Sequence, residues 1–408
     1  MPPAHPRWAR HTLSVAASAV RHTGRDLVSV GPLCLPWTEP HREDDSLMTH
    51  IRRARGATLA GLVVSALALT TVMSACSSQT PATASATSRM TARPTSTARS
   101  TAKPSATKTA ASTVASTGAE TPEQAAAEVA KALAAQAAAA AKPGSNGKAL
   151  REAVYTDKAL AAATAEGKLV TTLTAEQKAD LALSPTDPVV LAVSRTAAYP
   201  RTILAKATLA GSGAQVLVTL TSSAADAGYR IAAIARLLPS AAVGKFDAVT
   251  AGSPPVGDGA GFAITPDAFL EAYAGALAFP APAASELPFG EDPFFTTVRK
   301  AAADQASALG PGVTLKQTHA PAGVVAALRA APGQGAYVVA ILERKDTLTP
   351  KPGKSLAPSK AFSILAGKST VTKSATLRTY EFVVVHIPTV GKATVVAADE
   401  QVFAASGS

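Results

Sequence analysis

Few side chains in this 408-residue chain have both the type and the spacing that chemistry requires. Thiols occur only at Cys34 and Cys76, and beyond Cys76 the histidines are His319 and His386. Neither histidine has another His or a Glu at the three- or four-residue spacing of a metal site. No Gly-x-Ser-x-Gly elbow is present. We therefore predict no catalytic residue, no metal site and no cofactor, while catalysis by carboxylates gathered from distant positions stays open.

The most informative stretch lies between Met48 and Cys76. Three arginines open it, an apolar run from Ala57 to Met73 follows, and small residues stand directly before the cysteine. The arginines are Arg52, Arg53 and Arg55, and the small residues are Ser74 and Ala75. A basic start, an apolar core and small residues at the end are the features of an export signal.

The ending Met73-Ser74-Ala75-Cys76 resembles the lipobox of bacterial lipoproteins. The resemblance implies that the Cys76 thiol receives diacylglycerol, that the signal peptide 48–75 is removed, and that the new amine is acylated, with palmitate as the expected chain. An uncleaved membrane anchor is the alternative, because about 17 to 19 apolar residues are near the lower limit for spanning a bilayer. Both interpretations place the rest of the chain on the extracytoplasmic face of the cell membrane.

The segments on either side of this signal are not expected to fold. Residues 1–47 lack periodicity and precede a complete signal, so we interpret them as a wrongly assigned start, with translation beginning at Met48. Residues 76–120 form the predicted stalk, and 20 of the 42 residues from Ser77 to Gly118 are Ser or Thr. A flexible stalk of this length spans about 35 to 40 Å. O-glycosylation of this stalk and an unmodified linker both remain open.

The formal charge of +11 lies mainly outside the part that is expected to fold. Residues 1–75 contain 8 Lys/Arg and 5 Asp/Glu, and residues 76–118 contain 5 and none, which leaves 26 and 23 for the remainder. A nucleic-acid-binding domain concentrates basic charge and aromatic residues on itself. We therefore expect no nucleic-acid partner.

The remaining chain shows helix signals followed by strand signals, twice. Thr121-Pro122 opens an Ala-rich helix with a capping box, and a second helix is predicted around Lys148 to Ala165. In the second half, helices are predicted after Thr265-Pro266 and after Asp292-Pro293. The strands predicted after the helices are 215–221, 229–237, 337–342, 361–365, 380–387 and 394–403.

Helices followed by antiparallel strands predict an α+β fold with two tandem units, 121–240 and 265–408, joined by a linker at 241–264. Units of this size resemble cystatin-like or nuclear-transport-factor-2-like folds. With its lipobox, its stalk and the Tyr199-Pro200-Arg201 stretch, the chain resembles an uncharacterised family of actinobacterial lipoproteins. That resemblance implies no activity.

Two features favour binding. The first is a candidate pocket formed by aromatic residues and one histidine: Phe269, Tyr273, Phe294, Tyr380, Phe382 and His386. We predict that His386 is a core or pocket residue and that His319 is solvated. The second is a basic stretch, 344–392, with nine Lys/Arg and two acids, which is typical of a lysine-protected sheet edge or of a patch that touches anionic lipid or wall polymer.

The sequence therefore predicts a non-enzymatic, membrane-anchored lipoprotein that binds an envelope component, such as a protein, or a small ligand. Two alternatives remain. One is an envelope hydrolase with scattered carboxylates, and the other is the solute-binding lipoprotein of a transporter, which would need two lobes with parallel sheets.

Overall fold

A computed structural model describes residues 117–175, 178, 184–210, 212–257, 259, 261–283 and 286–408. Its helices are α1 (Pro122–Ala140), α2 (Lys148–Val154), α3 (Asp157–Leu169), α4 (Pro266–Ala276), α5 (Pro293–Leu309) and α6 (Lys360–Ala366). Its strands are β1 (Pro185–Val193), β2 (Arg201–Leu209), β3 (Gln215–Ser222), β4 (Arg230–Leu237), β5 (Val313–Arg329), β6 (Ala336–Pro350), β7 (Ala375–Ile387) and β8 (Thr394–Gly407). The prediction of an α+β fold with antiparallel strands is confirmed for this part of the chain.

All eight strands belong to one sheet, in the order β1-β2-β3-β4-β8-β7-β6-β5. Every neighbouring pair is antiparallel. The strands of the first half meet those of the second through a short pairing of Arg236 with Ala398 and Leu237 with Ala397. Neighbouring strands in the sheet are therefore also consecutive along the chain, except where β8 lies beside β4.

The segment between the halves also connects the two edge strands of the sheet. Ser253 pairs with Ser194 just after β1, and Pro255 pairs with Leu328 in β5. Because β1 and β5 are the two outermost strands, this contact requires the sheet to curl. One face of the curled sheet consequently forms a single apolar cluster with contributions from all eight strands, from Ala192 in β1 to Leu328 in β5.

Helix caps explain where most helices begin. The side chains of Thr121, Thr265 and Asp292 each accept a hydrogen bond from the backbone N–H three residues later, and proline follows each cap. The predicted capping box at Thr121 is confirmed, with Gln124 as its partner. The second predicted helix, 148–165, is instead two helices, α2 and α3, with a break at Tyr155 and Thr156.

One predicted strand is wrong. Residues 361–365 lie in the helix α6, not in a strand. Ser359 caps this helix by accepting a hydrogen bond from the Phe362 N–H, and Gly367 ends it with a φ of 65°, a left-handed conformation that glycine adopts readily. Local capping therefore outweighs the apolar composition that suggested a strand.

Candidate functional site

A band of polar side chains crosses the sheet of the second half, on the face that also carries two of the apolar clusters. Along β6, Arg344 and Asp346 separate two apolar residues, Leu342 and Leu348, which belong to different apolar clusters. Residues that alternate along a strand share a face, and directly paired residues do too. By this register the polar band consists of Gln317, His319, Arg344, Asp346, Thr379, Glu381 and Glu400.

Helix α5 contributes to the apolar clusters on both sides of the polar band. Phe294, Phe295 and Val298 near its start belong to the first cluster. Leu309 at its end belongs to the second. With apolar packing on both sides, the charged groups of the band have little contact with water.

Arg344 is the centre of the polar band. Its Nε lies 3.2 Å from Asp346 Oδ2, and its Nη1 lies 3.4 Å from Glu381 Oε1 and also contacts Glu400 Oε1. Only 8% of its side chain is exposed. Burial alone would lower the pKa of Arg344, but the three carboxylates Glu400, Asp346 and Glu381 outweigh this effect and raise it above its ordinary value.

His319 and Gln317 complete the band on β5. His319 Nδ1 lies 2.9 Å from Glu381 Oε2, and the side chains of both residues are fully buried. Gln317 Nε2 donates to Asp346 Oδ1 at 2.7 Å. His319 Nε2, Gln317 Oε1 and Thr379 Oγ1 are buried without a hydrogen-bond partner among the described residues. The geometry is that of a structural ion network, because its carboxylates face Arg344 and not an open cleft.

The prediction that His319 is solvated is wrong. The histidine lies within β5 and not at a strand end, and it is paired directly with Arg344 on β6. Alternation along β5 gives the physical reason, because His319 follows Leu315 and Gln317 on the buried face. The same alternation, Gln317, His319 against Lys316, Thr318, is visible in the sequence and is the signal that could have placed this residue correctly.

A shallow cleft of about 360 Å³ lies beside this region, between α5 and residues 278–281. Its apolar lining includes Phe279 and Phe295, and its polar lining includes Thr296, Arg299 and Lys300. Ala278, Ala281, Glu291 and Ala303 complete the lining. Phe279 is fixed in place because its backbone exchanges two hydrogen bonds with Gln317 on the outer edge of β5.

The two basic residues of the cleft differ in their partners. Lys300 Nζ lies 2.6 Å from Asp304 Oδ2, and its side chain is mostly exposed. Arg299 lies with its guanidinium carbon 5.3 Å from the centre of the Phe295 ring and pairs with no carboxylate in the described part of the chain. The cleft thus combines an apolar lining, the carboxylate of Glu291 and one cation, Arg299, that has no acidic partner among the described residues.

The residues of the predicted aromatic pocket separate into two groups on opposite faces of the sheet. Phe269, Tyr273 and Phe294 are buried in the apolar cluster beneath α4 and α5. Tyr380 and Phe382 lie in the cluster on the other face. His386 lies on that second face near the end of β7, where its Nε2 is 2.8 Å from Gln334 O and its ring is 5.0 Å from that of Tyr337. The six residues therefore do not line one pocket.

Tyr273 makes the main polar contact within the aromatic cluster. Its hydroxyl donates to Asp292, at 3.1 and 2.9 Å from the two carboxylate oxygens. Burial raises the pKa of Asp292, although hydrogen bonds from the Phe295 N–H and from Tyr273 oppose the shift. Asp292 therefore caps helix α5 and also satisfies the buried tyrosine.

A second titratable group, Glu166, lies where α3 packs against β8. Burial and the nearby carboxylate of Asp399 raise the pKa of Glu166 to about 7, while Arg151 lowers it. Glu166 consequently changes charge close to neutral pH.

The predicted signal and lipidation residues lie outside the described part of the chain. They are Arg52, Arg53, Arg55, Met73, Ser74, Ala75 and Cys76. Among the described helices, none combines the length and the apolar character needed to cross a membrane. In the same residues, no group of three or more His, Cys, Asp or Glu is arranged to hold a metal ion.

In comparisons with known proteins, the chain matches no protein-family model, no curated protein and no solved structure.

Proposed function

We propose that this chain is a lipid-anchored, non-enzymatic lipoprotein on the extracytoplasmic face of the cell membrane, of an uncharacterised actinobacterial family. The order of the sequence supports the proposal: an export signal, then Cys76, then a Ser/Thr-rich stalk, then the domain that begins near Thr121. The domain would repeat one plan twice, with helices before four strands in each half, as in cystatin-like or nuclear-transport-factor-2-like folds.

The observation that carries the binding function is the cleft between α5 and residues 278–281. Phe279 and the alanines of the lining provide an apolar surface for a ligand, and Arg299 provides a cation without an acidic partner in the described part of the chain. A small molecule with an apolar body and one anionic group matches this arrangement. We infer that the protein binds ligands of this class.

The two alternatives receive less support from the geometry. For an envelope hydrolase, the acids Asp346, Glu381 and Glu400 would have to face a substrate, and they face Arg344 in the buried polar band. For the solute-binding protein of a transporter, two lobes with parallel sheets were expected, and the described strands form one antiparallel sheet.

Photo-crosslinking tests the ligand site. The full chain, purified from membranes and placed in vesicles, is exposed to a diazirine derivative of 4-phenylbutyrate, and the adducts are located by mass spectrometry. We expect adducts on the residues of the cleft. Arg299→Gln should raise the probe concentration for half-maximal labelling about tenfold, because a charge-assisted hydrogen bond contributes about 1.5 kcal/mol or more.

Lys300→Gln is the matched control, since Lys300 lines the same cleft but is paired with Asp304. We expect this variant to label within about twofold of the unchanged protein. Adducts located elsewhere on the domain, or an equal loss of labelling in the two variants, would show that the cleft is not the ligand site.

A further inference from the structure

The segment between β6 and β7, residues 351–374, has an unusual charge composition. It contains five lysines and no acidic residue. Lys351, Lys360, Lys368 and Lys373 are exposed, and none of them pairs with a carboxylate in the described part of the chain. We name residues 351–374 the basic cap. Two other basic residues of the region, Arg344 and Arg378, are used elsewhere, in the polar band and in a pair with Glu343.

The basic cap has a defined shape because its apolar residues are anchored in the core. Leu356 and Val371 are buried and pair with each other through two backbone hydrogen bonds. Phe362 of α6 packs in the same cluster as Leu309 and Leu315. The lysines therefore extend from a fixed surface and not from a long free loop.

An apolar residue stands among these lysines. Ile364 is 38% exposed, one of the few large apolar side chains on the described surface that reach this level. It lies four residues after Lys360 in α6, and residues four apart share one face of a helix. An exposed isoleucine among lysines adds one apolar contact to a surface that attracts anionic headgroups.

We propose that the basic cap docks on anionic phospholipid headgroups. This proposal rests on the lipid anchor of the proposed function. A stalk spanning about 35 to 40 Å allows the domain to reach the surface to which Cys76 is attached. Each lysine near an anionic surface contributes about 1 kcal/mol, which is about a fivefold change in the equilibrium. A basic patch and an acyl chain together give a more stable attachment than either alone. The domain then lies on the membrane with α6 inserted at headgroup depth.

A fluorophore at position 364 tests this orientation. Ile364→Cys is labelled with an environment-sensitive dye in the full chain purified from membranes and placed in vesicles, where Cys76 is acylated. In vesicles containing anionic phospholipid, we expect a blue shift and quenching by lipids that carry a shallow quencher. Val390→Cys, at an 86% exposed position between β7 and β8, is the matched control and should report water.

Two further variants separate the lysines of the basic cap from overall charge. With Lys360 and Lys368 both changed to Ala, the docked-to-undocked ratio should fall about 25-fold, at about fivefold for each lysine. Changing Lys131 and Lys148, exposed lysines of α1 and α2, should alter it less than twofold. High salt should also return the dye at position 364 to water, as the two lysine substitutions in the basic cap do.

Flotation of the same samples distinguishes this proposal from the anchor. If the protein floats with vesicles but position 364 reports water as Val390 does, the docking proposal is wrong and the anchor stands. If the protein fails to float with neutral vesicles yet floats with anionic ones through Lys360 and Lys368, the anchor is wrong and the docking surface stands.

Discussion

Replacing Arg344 with Met should destabilise the protein strongly. The guanidinium contacts three buried carboxylates, of Asp346, Glu381 and Glu400, and methionine would fill a similar volume without a charge. The loss of one partner from a buried ion pair typically costs about 3 to 5 kcal/mol, because the remaining charge is buried without compensation. We expect a loss in the upper part of this range, since three carboxylates lose their cation.

Urea unfolding at pH 7 measures this loss, and Arg378→Met is the matched control. Arg378 also binds a glutamate through two hydrogen bonds to Glu343, at 2.8 and 2.9 Å, but 44% of its side chain is exposed. An exposed pair of this kind contributes less than about 1 kcal/mol. If Arg344→Met cost no more than Arg378→Met, the polar band would not be a buried network and the reasoning would be refuted.

Two other substitutions test the remaining buried polar contacts. Glu166→Gln should make the protein more stable above pH 7. The pKa of Glu166 is raised from 4.5 to about 7 in the folded protein, so ionisation of this side chain destabilises the fold. The free energy of unfolding of the unchanged protein should therefore fall by up to about 3 kcal/mol as the pH rises between these values. Unfolding of the two proteins at pH 5 and pH 8 would contradict this if the difference between them did not grow with pH. Tyr273→Phe removes a donor to the buried Asp292 and should cost about 1 to 3 kcal/mol in thermal unfolding, whereas Tyr229→Phe, whose hydroxyl bonds the half-buried Glu120, should cost less. Equal losses in the two Tyr variants would show that the contact with Asp292 has no special role.

Local signals in the sequence were sufficient for the helix starts and for five of the eight strands, β3, β4, β6, β7 and β8. Thr121, Thr265 and Asp292 were predicted as helix starts because a capping side chain followed by proline acts within one turn. The strand 361–365 was predicted wrongly because only its apolar residues were considered, and not the residues before and after them. Ser359 before it and Gly367 after it are a helix cap and a helix stop, and both are local signals.

The polar band and the cleft depend on contacts that are distant along the chain. His319 meets Glu381 only because β5 and β7 both pair with β6, a register that one sequence does not specify. The six residues of the predicted aromatic pocket are not brought together either. Phe294 packs from helix α5 onto one face of the sheet, whereas Phe382, by alternation along β7, lies on the other face.

Metabolic labelling with an alkyne fatty acid tests the central proposal, that Cys76 carries the lipid anchor. We expect the unchanged protein to incorporate the label and to sediment with membranes. A Cys76→Ala variant should take up no label, and a Cys34→Ala variant should be labelled normally. Incorporation of the label by Cys76→Ala would contradict the proposed anchor.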